Sequence, residues 1–164
     1  MKDSFDFMLD PDFVFRNRNV TKTTTYGFEG DLDLKINDKT KGFFNFSYTK
    51  GTYDKFPQNP VVEGNQLAYL AEKKLGLGIY FIWPNRVNHF VLCRYNDHRY
   101  GDAQNTIQNK MDAYITADWH GSIKLSDTMR ITFNIDNIFN ASYEEFPNQK
   151  QLGRFYLLGI EKEF

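Results

Sequence analysis

Gly153-Arg154-Phe155-Tyr156-Leu157-Leu158-Gly159-Ile160-Glu161-Lys162-Glu163-Phe164 is the last stretch of the sequence, and it alternates. Counted back from Phe164 in twos, one face carries Lys162, Ile160, Leu158 and Tyr156. The other carries Glu163, Glu161, Gly159, Leu157 and Phe155. Successive side chains of a strand point to opposite faces, so this stretch has one mostly apolar face and one mixed face. An alternating strand that ends on an aromatic residue is habitual in outer-membrane β-barrels. There the final strand closes the wall, and the assembly machinery reads its apolar face. The row Tyr156, Leu158, Ile160 and Phe164 is the candidate assembly signal. The alternative is an ordinary terminal strand of a soluble β-sandwich, which Lys162 favours.

The same period runs upstream. Tyr26, Phe28, Gly30, Leu32, Leu34 and Ile36 alternate with Gly27, Glu29, Asp31, Asp33 and Lys35. Phe44, Phe46 and Tyr48 alternate with Phe43, Asn45, Ser47 and Thr49. Leu75, Leu77, Ile79, Phe81 and Trp83 oppose Lys74, Gly76, Gly78, Tyr80 and Ile82. A less regular segment sets Val87, His89, Val91, Cys93 and Tyr95 against Asn88, Phe90, Leu92, Arg94 and Asn96. The cleanest sets Met111, Ala113, Ile115, Ala117, Trp119, Gly121 and Ile123 against Asp112, Tyr114, Thr116, Asp118, His120, Ser122 and Lys124. Met129, Ile131, Phe133 and Ile135 oppose Arg130, Thr132, Asn134 and Asp136. Such alternation predicts strands with a different solvent on each face. Several exceed the ~5–6 residues usual in globular proteins.

The connections alternate too. Tight turns are expected over 36–41, 83–86 and 125–128, and long polar loops near 53–64, 97–109 and 140–152. Short turns on one rim and long loops on the other are the habit of a membrane barrel, and a sandwich imposes no such rhythm. With Phe164 at the periplasmic side, all three turns fall there and all three loops fall outside. Trp83 stands where an interfacial aromatic would.

Composition agrees. Aromatics make up 17% of 164 residues, and strands favour them. A net charge of −1 leaves no electrostatic footprint for nucleic acid. Cys93 is the lone cysteine, so no internal disulfide is possible. Residues 1–6 lack the basic and apolar regions of a signal peptide. No apolar run approaches the ~18 residues of a membrane helix, but a barrel strand spans with ~9–11 alternating residues.

Phe133-Asn134-Ile135-Asp136-Asn137-Ile138-Phe139-Asn140-Ala141-Ser142-Tyr143, then Gly153-Arg154-Phe155 and Phe164, resembles the carboxy-terminal end of a TonB-dependent outer-membrane receptor. That family runs a strand into Asn-Leu-Phe-Asp-x-x-Tyr, then a loop, then a Gly-Arg pair opening the last strand. Phe15-Arg16-Asn17 and Gly27-Phe28-Glu29 resemble its Tyr-x-Asn and Gly-x-Glu elements, and Gly64-Asn65-Gln66-Leu67-Ala68-Tyr69 resembles its Gly-x-x-Leu-Pro-Tyr strand opening. Ala68, Ala71 and Leu152 stand where the family often has Pro. The resemblance covers roughly residues 13–164 in order. It implies a barrel of about 22 strands around an amino-terminal plug. This chain has room for about the last seven strands, or eight if Ser4–Val14 supplies another. The expected organisation is a remnant strand or extracellular loop over 1–19 and a carboxy-terminal barrel segment over 20–164, without plug or TonB box.

No catalytic constellation emerges. Asp118, His120 and Ser122 share a face, but along one extended strand their side chains stand ~7 Å apart and parallel, out of hydrogen-bond reach. No metal-ligand spacing, cofactor motif or phosphate-cradling loop is present. Asp31, Asp33, Lys74, Arg94, Asp112, Arg130 and Asp136 are expected on a solvated lumen face. The candidate ligand contacts are His98, Arg99 and Tyr100 in an extracellular loop, since loops carry function on a rigid scaffold.

The resemblance implies a receptor for a scarce nutrient: an iron chelate, cobalamin or a glycan. It is no enzyme. The expected partners are outer-membrane lipid, the barrel-assembly machinery, a small-molecule ligand and, through the plug, the TonB complex. Two other readings stand: a self-contained eight-stranded outer-membrane barrel with a structural or adhesive role, and a soluble β-barrel or sandwich binding an apolar ligand.

Overall fold

A computed structural model describes residues 2–9, 15–57, 59–83 and 87–163, and for 2–9 and 15–21 it gives the backbone. In chain order the strands are β1 (Lys2–Leu9), β2 (Phe15–Asn37), β3 (Thr40–Lys55), β4 (Lys73–Trp83), β5 (Val87–Asn96), β6 (Arg99–Tyr100), β7 (Lys110–Met111), β8 (Tyr114–Lys124), β9 (Met129–Asp136), β10 (Glu144–Phe146), β11 (Gln149–Lys150) and β12 (Phe155–Lys162). Eight of them form one sheet in the order β1-β2-β3-β4-β5-β8-β9-β12. Each pairs antiparallel with its neighbour, an up-and-down meander as expected. The pairs β6–β7 and β10–β11 are small ribbons within the long connections. Among the described residues no ladder joins β12 to β1, so the sheet is open.

The register sorts the side chains from β3 to β12 onto two faces. Leu77, paired with Phe44, faces Cys93, which faces Ala117. One step along, Ile79, Val91, Trp119, Ile135 and Tyr156 form a row across five strands. These rows make one apolar face. The opposite parity runs Phe43, Gly78, Leu92, Asp118 and, a row further, Tyr80, Phe90, His120, Asn134. That face is mixed. Gly78 serves it by leaving room: a Cβ there would stand 2.1 Å from the Phe43 ring, which lies over the strand.

Among the described residues no second layer covers the apolar face, and its side chains stand open: Phe28 is 63% exposed, Leu158 67% and Ile160 66%. In water such a surface forfeits about 25 cal/mol for each Å² left unburied. Hydrocarbon removes that penalty, and the ladders satisfy the backbone within the sheet. Among the described residues the buried apolar cluster lies elsewhere, where the end of β3 meets the long loops: Tyr53, Phe56, Val62 and Ala103, with Leu67 packed on it.

The first and third tight turns lie as expected. Lys39 N donates to Asn37 Oδ1 (2.8 Å) at the first, and Leu125 N donates to Met129 O (2.9 Å) at the third. Pro84, Asn85 and Arg86 lie outside the described residues, as do Phe164 and Asp10–Val14. Several boundaries differ from the sequence reading. β3 runs on to Lys55, into the stretch read as a loop from 53. β2 runs back to Phe15, through the threonine-rich stretch 21–25, because β1 pairs there and β-branched residues suit strands without apolar alternation. The fifth alternating segment breaks at Asp112–Ala113, leaving Met111 in β7. The stretch 64–69 is the return of a loop rather than a strand opening, with Gly64 at φ 85° and Tyr69 at φ 60°.

Candidate functional site

The three long connections, 56–72, 97–113 and 137–154, converge on one rim and are laced together. Asn65 Nδ2 donates to Ala103 O (3.0 Å), and Tyr69 N donates to Tyr100 O (2.7 Å). Tyr69 also meets Phe146, with ring centroids 6.1 Å apart. Tyr114 and Tyr143 stack at 4.2 Å. Burial pushes the Tyr143 phenol above its ordinary value, and Tyr114 and Glu145 add to that. Sequence reasoning did not single these tyrosines out as site residues: Tyr114 read only as one position of an alternating strand, and Tyr69 and Tyr143 only as motif positions.

Arg99 is the keystone of this layer. It is 8% exposed, and its guanidinium donates to the carbonyls of Glu144 and Glu145, both at 3.3 Å. Its neighbours are more open. His98 is half-exposed beside Asp97, with Nδ1 3.1 Å from Oδ1, and its ring meets Tyr100 edge-on at 6.0 Å. So the three candidate contacts adjoin, but Arg99 faces inward while His98 turns its imidazole to Asp97.

The loop after Tyr100 is organised by Asp102. Its carboxylate accepts from Thr106 N (3.0 Å), Thr106 Oγ1 (2.5 Å) and Asn109 Nδ2 (2.5 Å). Burial raises that carboxyl, but these donors outweigh it and hold it below the ordinary Asp range.

Beneath the loops two clefts open on the mixed face. One, of about 370 Å³, is lined by Tyr69, Lys74, Asn96, Arg99, Tyr114 and Glu145 among others. The second, of about 440 Å³, is lined by Arg94, Asp118, His120, Asp136, Tyr143 and Gln151 among others. In the second, Arg94 pairs with Asp118 at 2.5 Å and His120 meets Asp136 at 3.0 Å. His120 thus turns to the neighbouring strand, away from any arrangement with Ser122. Among the described residues no group of three or more His, Cys, Asp or Glu could hold a metal ion.

An apolar face without a core, a mixed face with clefts, tight turns on one rim and a structured loop layer on the other define a segment of transmembrane β-barrel wall. The family described as TonB dependent receptor-like, beta-barrel matches residues 2–138, and the chain belongs to it: it is a stretch of barrel wall of the outer membrane. Solved structures share the fold. The siderophore receptor PiuA from Acinetobacter baumannii is 19% identical with a TM-score of 0.76, the match covering 85% of this chain and 22% of that one. The ferric yersiniabactin uptake receptor FyuA from Yersinia pestis is 14% identical at 0.74, covering 91% and 25%. The copper transporter OprC is 13% identical at 0.75, covering 99% and 27%. The chain therefore spans about a quarter of the length of these proteins. None of the curated proteins matches it.

Proposed function

We propose that the chain forms the carboxy-terminal wall of an outer-membrane receptor that imports a scarce nutrient, and that it catalyses no reaction. The family assignment carries this reading, and the loop layer above polar clefts supports it. The cargo class is an iron chelate, cobalamin or a glycan. PiuA, FyuA and OprC are named for different cargoes on one fold, so the fold alone selects none. Energy comes from the TonB complex, through a plug elsewhere in the receptor. Lipid and the barrel-assembly machinery are the other partners, the latter reading Tyr156, Leu158, Ile160 and Phe164. His98 and Tyr100 are the side chains offered to ligand, and Arg99 holds them in place from below.

Uptake assays test this. A strain lacking the receptor gene should lose uptake of one labelled cargo class, and the intact gene should restore it. His98→Ala with Tyr100→Ala should weaken binding while leaving the barrel folded. Unchanged uptake of all three classes after deletion would overturn the reading.

A further inference from the structure

His89 is a polar side chain on the apolar face, and its orientation is set by its neighbours. It follows the tight turn by two residues beyond Val87, the start of β5. Phe81, its direct partner on β4, stacks on the imidazole at 4.6 Å and 23°. Trp119 on β8 lies nearly parallel to it at 5.7 Å and 25°, and the indole Nε1 donates to His89 Nδ1 (3.3 Å). Gly121 stands directly opposite His89, and its lack of a side chain admits the indole: a Cβ there would lie 2.9 Å from Trp119 Cζ2. Trp83 continues the array beyond Phe81 at 6.5 Å, and Phe133 beyond Trp119 at 5.5 Å.

A neutral imidazole has one acceptor and one donor nitrogen. The indole occupies the acceptor, so the proton sits on Nε2. Among the described residues Nε2–H has no protein acceptor. Hydrocarbon offers none either. At a strand rise of ~3.3 Å, His89 lies within about 7 Å of the strand end, where membrane proteins place aromatic rings at headgroup level. The acceptors at that level are the ester and phosphate oxygens of lipid and interfacial water, and of these only the lipid oxygens lie in register with the apolar rings beside His89.

We propose that His89, held by Trp119 and Phe81, is a binding site for a glycerophospholipid of the leaflet at the tight-turn rim. Nε2–H donates to an ester or phosphate oxygen of that lipid, and the rings of Phe81, Trp119 and Phe133 line the path of its acyl chain. The proposal rests on the membrane placement of the apolar face.

The test uses the intact receptor barrel containing this segment, with ¹⁵N-labelled histidine, in nanodiscs of diacyl phosphatidylglycerol, in the ether-linked analogue, and in dodecyl maltoside. The expected result is an Nε2-protonated tautomer for His89 and an Nε2 shift in phospholipid that is lost in maltoside. A shift that survives in the ether lipid assigns the phosphate as acceptor; one lost there assigns the ester carbonyl. Trp119→Phe should mix the tautomers. His89→Phe, which keeps a ring, should release retained phospholipid in native mass spectrometry. An Nδ1-protonated His89, equal shifts in phospholipid and maltoside, or unchanged lipid retention in His89→Phe would overturn the site. A spin label on Cys93, on the same face, reads the membrane placement separately. Collision with a water-soluble nickel chelate rather than oxygen would overturn both.

Discussion

Asn137 and Asn140 sit at φ 52° and φ 53°, the left-handed region that disfavours most residues by roughly 1–2 kcal/mol and that Asn tolerates best. Asn137 is 4% exposed. Its backbone N–H donates to Asp118 Oδ1 (2.8 Å), and its amide donates to Ala141 O (2.9 Å) while accepting from Ala141 N (2.9 Å). Asn140 Oδ1 accepts from Arg154 N (2.9 Å), and Arg154 Nε donates to Ile138 O (2.9 Å). The motif from Asn137 to Asn140 and the Gly-Arg pair are thus two halves of one corner. Asn137→Ala should lose roughly 2–4 kcal/mol from unpaired carbonyls and backbone strain together. Asn137→Gly, which keeps the conformation, should lose less. Urea unfolding of the receptor barrel measures both, and equal losses would exclude strain as a contributor.

Asp102 supplies a pH dependence at the same scale. Its folded pKa is depressed, so its contribution is fully present above the ordinary Asp value and is lost as pH falls through the folded one. The 101–109 loop should therefore resist an acid-stable protease such as pepsin at about pH 4 and above, and become cleavable only as pH falls further, through the depressed folded value. Asp102→Asn should be cleavable at every pH in that range. A wild-type loop equally resistant throughout would sink the idea.

Neighbouring positions on β5 give a sharp test of facing. Val91 lies in the middle of the apolar rows, and Leu92 pairs with Asp118 on the mixed face. An arginine facing the membrane midplane costs ~2–4 kcal/mol, and one in a polar lumen costs much less. Val91→Arg should show that loss in refolding yield. Leu92→Arg should be mild, because the new guanidinium stands beside the Asp118 carboxylate. The reverse order would mean a register slipped by one residue, which exchanges the faces of the whole strand.

For the whole molecule the edges decide. The β1 ladder on β2 ends at Lys22, while β3 pairs β2 on to Asn37. Among the described residues, Thr23–Ile36 and the outer side of β12 therefore have a ladder on one side only. An open edge cannot persist in hydrocarbon, where each unpaired backbone group costs several kcal/mol. In water the same edges and the bare apolar face invite association. The isolated 164-residue chain should aggregate without detergent and, refolded in detergent, should show no heat-modifiable monomer on gels. A protease-resistant monomer that shifts on boiling would instead establish a self-contained eight-stranded barrel.

Strand identity, facing and turn positions were legible in the residues themselves. A two-residue period between two solvents writes the burial of each position directly into the order of side chains, as in Tyr26–Ile36 and Ile115–Ile123. The family was legible because Asn137, Asn140 and Gly153-Arg154 answer local backbone demands. Other features required the fold. Arg99 reads as an exposed loop cation until Glu144 and Glu145, distant in sequence, arrive over it. The extension of β2 to Phe15 exists because β1 pairs there. His89 interrupts an apolar row in the sequence, and only the lateral register brings Trp119 and Phe81 to its two sides. Alternation is a property of one strand, whereas these contacts depend on which strands are neighbours and in what register.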